Sequence, residues 1–356
     1  MKILIIGGNG YIGFPLACKL AGYENDVLIL DNNMKQIYSK ELRCHPLFGQ
    51  DGLETRIGKV FELTGMDTSL EYDFIDATNV RSLYSAITDF EPQVVINCTM
   101  TSALQGVGTT TSLSALTILH NILECINVDC HVVNLSLPMF TTDHTLNDVM
   151  ATAARRMLQL YCNRDGLIAT NISLGSVYGI MGEFWNEAGI QTTLHYDDVF
   201  GTVVNRLVCQ VMGWSFMSVY HDMSGNNKSL DPCLDRSTTI CQLEDALTGI
   251  DKAIEVCPGK GELRHLSLFT EVISLRAITD MISDAATIEG HTAAIQYFYQ
   301  DALLERHLRT NHEDDALADY KATPLSVGYI REMMQAIALQ RHLIYKAVCG
   351  APRFSY

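Results

Sequence analysis

The sequence predicts an α/β protein, a doubly wound parallel sheet of the Rossmann type with a smaller C-terminal substrate domain. Three observations carry this. Short, wholly apolar runs alternate with helix-period segments through the first half of the chain. The first run ends in the glycine-rich loop G-G-N-G-Y-I-G, which opens a helix. The second run ends in an aspartate, Asp31. Right-handed crossovers then require neighbouring strands to lie parallel.

Taken in order, Lys2 to Ile6 is a buried strand, and "YIGFPLACKLAG" is a helix that tolerates Pro15 in its first turn and stops at Gly22. "DVLILD" is the second strand, "DFIDATN" (Asp73 to Asn79) the third, "QVVINCT" the fourth, "CHVVNLS" the fifth and "GLIATNISLGSVYG" the sixth with its exit. Helices are expected at "VRSLYSAITDF", "SLSALTILHNILECI" and Asn147 to Asn163. Between the second and third strands lies an insertion, about residues 40–68, read as a lid or edge element with a helix at Arg56 to Leu63. Residues 1–180 form the dinucleotide-binding unit. Residues 181–356 form mainly a substrate region, with some segments returning to the sheet. There "TVVNRLVCQVMG", Gln242 to Val256, Ser274 to Ala285 and Val327 to Tyr345 read as helices. "FMSVYHDMSGNNKSLDP" reads as a hairpin turning at Gly225-Asn226.

Composition narrows the function. A net charge of −16 without any basic run excludes a nucleic-acid surface. The 11 cysteines contain no Cys-x-x-Cys pair and no zinc spacing, so no metal site is expected and the thiols read as small core residues. No charged leader region precedes the first strand, and no apolar run approaches the ~20 residues that span a bilayer. The expectation is a cytoplasmic protein with reduced cysteines and no membrane segment.

Gly7, Gly10 and Gly13 give the tight turn, the close approach of a pyrophosphate and the helix–strand packing of a dinucleotide loop. Tyr11 and Ile12 stand at the helix mouth, where free N–H groups meet phosphate. Asp31 and Asn32 are placed for the adenosine ribose. The carboxylate would repel a 2′-phosphate, so the cofactor expected is NAD. Asp76 and Ala77, at the end of the third strand, are candidates for the adenine edge. Cys98 and Thr99, at the end of the fourth, face the nicotinamide region, with a buried structural thiol the plain alternative for Cys98.

With these residues in place, the chain resembles the extended short-chain dehydrogenase/reductase family of epimerases and dehydratases, and most of all its sulfoquinovose-synthase branch. The resemblance runs over nearly the whole length, in "GGNGYIG", "LDNN", "RIGKVFELTG", "DFEPQVV", "SVYG", "YDDVFGTVVNR", "CLDRSTTICQLEDAL" and "LSLFTEVISL". It implies hydride transfer to NAD⁺ beside a tyrosinate tuned by a lysine. Counted back from Tyr178, those two positions hold Asn147 and Ala151, and no tyrosine in the chain is followed four residues later by lysine. Leu137 and Phe140 stand where the family places a threonine and an acidic residue. Ser173 and Leu174 replace asparagine and glutamine, and Ser237 replaces an arginine. Losing a positioned base forfeits about 10²–10⁴ in rate.

His144, Tyr178 and Asn147 are the candidates for replacement chemistry. A solvated loop position is the plain alternative for His144, and packing is the plain alternative for Tyr178. Thr99, Leu137, Phe140, Tyr196, Asn205 and Arg206 are candidate substrate contacts, Arg206 for its bidentate fork. Three functions stay open. One is an atypical NAD-binding enzyme acting on a small molecule by hydride shuttling, isomerisation or elimination. The second is a catalytically silent NAD-binding partner. The third is a nucleotide-sugar enzyme with relocated residues. The helix at 112–126 and the helix at 147–163, with Val149, Met150, Ala153 and Met157 in a stripe, suggest a homodimer face.

Overall fold

The structure, a computed structural model, describes residues 1–49, 51–65, 69–99, 108–136, 146–182, 184–185, 190–197, 199–222, 234–268, 271–300 and 320–344. Its main layer is a seven-stranded parallel sheet built from β1 (Lys2–Ile6), β2 (Asp26–Asp31), β3 (Leu70–Phe74), β4 (Val94–Asn97), β5 (His131–Ser136), β6 (Ile168–Leu174) and β10 (Leu263–Leu268). The spatial order is β10-β6-β5-β4-β1-β2-β3. The winding reverses between β1 and β4, and a crevice opens there at the carboxyl ends of the strands. β10, from the C-terminal half, closes one edge.

Helices cover both faces because the central strands are apolar on both sides. Here α1 (Gly13–Ala21), α3 (Leu53–Thr64) and α8 (Leu243–Glu255) pack on one core with Ile3, Ile5, Phe14 and Ile29. On the other face α4 (Val80–Phe90), α5 (Gly108–Cys125) and α6 (Leu146–Asp165) enclose Leu4, Ile6, Val95 and Val132. Between β2 and α3 lies a short helix, α2 (Met34–Glu41), that the sequence did not announce.

A second core joins the remaining elements: β7 (Ser176–Tyr178), α7 (Val203–Trp214), β9 (Ser237–Gln242), β11 (Glu271–Ser274), α9 (Leu275–Ile288) and α10 (Val327–Ala338), ending with α11 (Arg341–Ile344). Here β9 pairs parallel with β7 and antiparallel with β11.

One expectation needs correction. The third strand lies upstream, at Leu70–Phe74, and Asp76 to Asn79 form a turn in which Asp76 Oδ1 accepts from the Thr78 N–H (2.9 Å) and hydroxyl (2.8 Å). Aspartate and asparagine favour such turns over a strand, and β3 is an exposed edge whose alternation is faint. The first limb of the expected hairpin is a strand, and its second limb lies outside the described residues. Strand β8 (Phe216–Asp222) pairs in parallel with β12 (Ala294–Gln300), and Gly225-Asn226 lie outside the described residues. Period-two patterning reveals a strand but not its partner. In the insertion, Leu53, Ile57 and Val60 of α3 enter the main core beside the edge strand β3. Among the described residues no helix is long and apolar enough to cross a membrane.

Candidate functional site

The crevice has a volume of about 420 Å³ and is lined by Gly7, Gly10, Asp31, Asp76, Cys98 and Thr99, together with Tyr11, Ile12, Gly13 and Asn32. The loop geometry explains the glycines. Gly7 sits at φ +81°, and a Cβ on Gly13 would stand 2.5 Å from the Gly7 carbonyl oxygen. No side chain caps α1. The Phe14 N–H already donates to the Gly10 carbonyl (3.3 Å) and Pro15 has none, so the N–H groups left for an anion are those of Tyr11, Ile12 and Gly13.

Asp31 is held from both sides. The Asn9 N–H donates to Oδ2 (2.9 Å) and the Asn33 N–H to Oδ1 (2.7 Å), leaving further lone pairs for hydroxyl donors. Burial raises its pKa, while those N–H groups and the Lys35 charge pull it back. Lys35, the second residue of α2, also lines the crevice. Burial lowers its pKa to about 8, against the pull of Asp197 and Asp31. Its ammonium lies 5.7 Å from the Phe200 ring centroid.

Behind the loop stands Arg56 of α3, only 3% exposed. It donates to Asn9 Oδ1 (2.9 Å) and to the Gln191 carbonyl (3.2 Å), and its guanidinium lies 3.6 Å from the Phe14 ring centroid. The Asn9 side-chain amide donates in turn to Asn33 Oδ1 (2.7 Å). The insertion thus braces both the glycine loop and the start of α2.

Other expected residues go elsewhere. Ala77 is a core residue, and Thr78 takes its place in the crevice. Tyr178 is fully buried in the second core, with its ring centroid 6.0 Å from that of Tyr329, edge to face. Tyr196 belongs to that core too. Asn205 is committed to the protein: its amide donates to the Tyr11 hydroxyl (3.0 Å) and its oxygen accepts the Gly179 N–H (2.9 Å). The Tyr11 hydroxyl completes this knot by donating to the Gly179 carbonyl (2.6 Å). Arg206 faces Ser218 (3.4 Å) and the Tyr220 ring. Leu137, Phe140 and His144 lie outside the described residues, as does the side chain of Asn147, whose backbone enters the first turn of α6.

Burial shifts two further titratable groups, Cys98 in the crevice wall and His195 beside Asp197. Burial and the nearby Asp31 push the Cys98 thiol up to about 12, so it is no thiolate at neutral pH. His195, Nδ1 3.3 Å from Asp197, is driven down to about 4 by burial and by Lys35, and stays neutral.

Compared with known proteins, no family model matches the chain. It is 23% identical over 328 residues to the chloroplastic UDP-sulfoquinovose synthase of Spinacia oleracea, covering 80% of this chain and 64% of that one. It is 23% identical over 321 residues to the UDP-sulfoquinovose synthase of Sulfolobus acidocaldarius, covering 80% and 79%. Among solved structures, the UDP-glucose 4-epimerase of Bifidobacterium longum, a complex with NAD⁺ and UDP, superimposes with a TM-score of 0.69 at 13% identity, over 98% of this chain and 100% of that one. The fold is that of the NAD-dependent epimerases and dehydratases. Sequence and fold together make this chain a distant homologue of the UDP-sulfoquinovose synthases, although it spans less than two thirds of the spinach enzyme. Within this epimerase-type fold, Asn9, Lys35 and Arg56 are the residues that sequence reasoning missed. Lysine shortly after a strand-end aspartate was the available signal for Lys35.

Proposed function

We propose that this chain is an NAD-binding enzyme of the epimerase/dehydratase type that acts on a small molecule, a nucleotide sugar being the class to which its relatives' names point, without a tyrosine–lysine pair. The observation that supports it most is the convergence of an uncapped helix mouth, a carboxylate and a cation on one crevice at the winding reversal. Gly10, Tyr11 and Ile12 would cradle the pyrophosphate, Lys35 would neutralise it, and Asp31 would accept the ribose hydroxyls and repel a 2′-phosphate. A bound nicotinamide supplies hydride acceptance and return. The protein is read as cytoplasmic and homodimeric, the exposed Leu113, Val149 and Leu160 on α5 and α6 marking the shared face.

A second reading, an NAD-binding partner without activity, draws on the chemistry of Cys98 and His195. Neither offers a proton-transfer group near neutral pH. Purified protein should carry or bind NAD. Reduction of that NAD by a nucleotide sugar, seen in the near-ultraviolet band of the reduced ring, supports the enzyme. NAD binding without spectral change or product for any such sugar supports the partner, and failure to bind NAD removes both.

The pKa of Lys35 gives this reading a pH signature. Its folded value, about 8, lies below the unfolded one, so this group's contribution to stability grows as pH rises from about 8 toward 10.5. Binding runs the other way. The ammonium attracts phosphate only while protonated, so NAD affinity should weaken as pH climbs through 8. Lys35→Met should bind about tenfold more weakly at pH 7 and lose that pH dependence. Calorimetric titrations between pH 6.5 and 9.5 read both, and parallel profiles for the two proteins would contradict the assignment.

A further inference from the structure

Beneath the crevice a row of side-chain amides crosses three central strands. The sheet register pairs Asn97 of β4 with Asn134 of β5, and Asn134 with Asn171 of β6. Each is 3% exposed. Asn97 Nδ2 donates to Asn134 Oδ1 (2.8 Å), and Asn134 Nδ2 to Asn171 Oδ1 (2.8 Å). Asn171 Nδ2 then donates to Ser136 Oγ (3.1 Å), which lies 3.4 Å from Ser173 Oγ.

The direction of this chain is fixed at one end by a group that can only donate. The Thr99 backbone N–H points to Asn97 Oδ1 (3.2 Å), which identifies the oxygen of that amide. Its nitrogen must then face Asn134, and each following amide inherits its orientation. The Thr99 hydroxyl lies 2.7 Å from the same Asn97 oxygen, an atom without a proton, so the hydroxyl must donate there. Thr99 lines the crevice. Its hydroxyl has therefore spent its proton inward and has only lone pairs to offer a ligand. Aligned amides polarise one another, which strengthens that commitment.

We propose that Thr99 binds a ribose hydroxyl of the dinucleotide as an acceptor only, and that Asn97, Asn134 and Asn171 are positioning residues that set its polarity. The inference rests on the dinucleotide reading and goes beyond it, because it assigns a direction to one hydrogen bond. A phosphate oxygen has no proton to give at neutral pH and cannot fill this role; a ribose hydroxyl can.

The test measures binding of NAD⁺, and of analogues in which each ribose hydroxyl is singly replaced by fluorine, which accepts but does not donate. Thr99→Val should weaken NAD⁺ binding about 5- to 10-fold, and Thr99→Ser should restore it. One fluoro analogue should lose the same factor against the wild type and nothing further against Thr99→Val. Asn134→Ser should weaken binding when Thr99 is present and leave the Thr99→Val protein unchanged, whereas a purely structural asparagine would weaken both equally. Should Asn134→Ser not fold, the wild type still reports. The side-chain amide resonances of all three asparagines should exchange slowly with solvent, and Thr99→Val should shift that of Asn97 most. Unchanged affinity in Thr99→Val, losses that add for every analogue, or fast amide exchange would each overturn the proposal. A wild type that binds no dinucleotide overturns the functional reading along with it.

Discussion

Arg56→Ala should lower the stability of the protein by about 3–5 kcal/mol. The guanidinium is buried at the meeting of α3, the glycine loop and the 190–197 segment, and it satisfies two acceptors there, Asn9 Oδ1 and the Gln191 carbonyl. Alanine removes this donor from both, at about 1–3 kcal/mol each, and removes the stem that covers Phe14. Burial lowers the pKa of Arg56 to about 10, so the group is still a cation at neutral pH. Its charge is balanced by amide oxygens and a ring face. Methionine at this position should lose less than alanine, because it keeps the packing while giving up the same two hydrogen bonds. Asn9 also donates to Asp31 and Asn33, so the damage should reach the crevice and weaken NAD binding in protein that remains folded. Chemical denaturation with a binding titration at low denaturant measures both. A midpoint shift equivalent to less than about 1 kcal/mol would mean that the insertion does not brace the loop.

What could be read in the sequence was what is local. A strand, a glycine loop, a helix and an acidic strand end occupy consecutive residues, so one stretch contains the whole reason for the crevice. Arg56 was visible as the first residue of "RIGKVFELTG", one of the stretches that carry the resemblance, but its role depends on α3 packing against α1 and on a carbonyl far along the chain. The asparagine ladder was hidden in the same way. Each asparagine looks like a stray polar residue in an apolar strand, and only the register of β4, β5 and β6 aligns them. Asp76 and Ala77 were displaced because an edge strand buried only at Leu70 carries little pattern, whereas the turn after it holds the stronger signal. Asn205 and Arg206 were judged by what their side chains can do. Burial decided instead that one would brace Tyr11 and the other would cover Tyr220.

Gly13→Val should cut NAD affinity by about 100-fold while leaving the fold recognisable. A Cβ at Gly13 would lie 2.5 Å from the Gly7 carbonyl oxygen and 2.7 Å from the Gly8 Cα, and both are backbone atoms that no rotamer change can move. The loop or the helix must shift, and either movement would misalign the loop N–H groups proposed to hold the pyrophosphate. Overpacking of this kind costs about 1–3 kcal/mol, which a chain of this size tolerates. Binding should therefore fail before folding does. Gly58 supplies the contrast. It lies inside α3, and a methyl group there would meet nothing within 4 Å, so Gly58→Ala should stabilise the protein by about 0.5–1 kcal/mol and leave affinity unchanged. If the two substitutions lowered affinity alike, the loop would owe nothing to close backbone packing. If Gly13→Val bound NAD as well as the wild type, the crevice at the first crossover would not be where the dinucleotide sits.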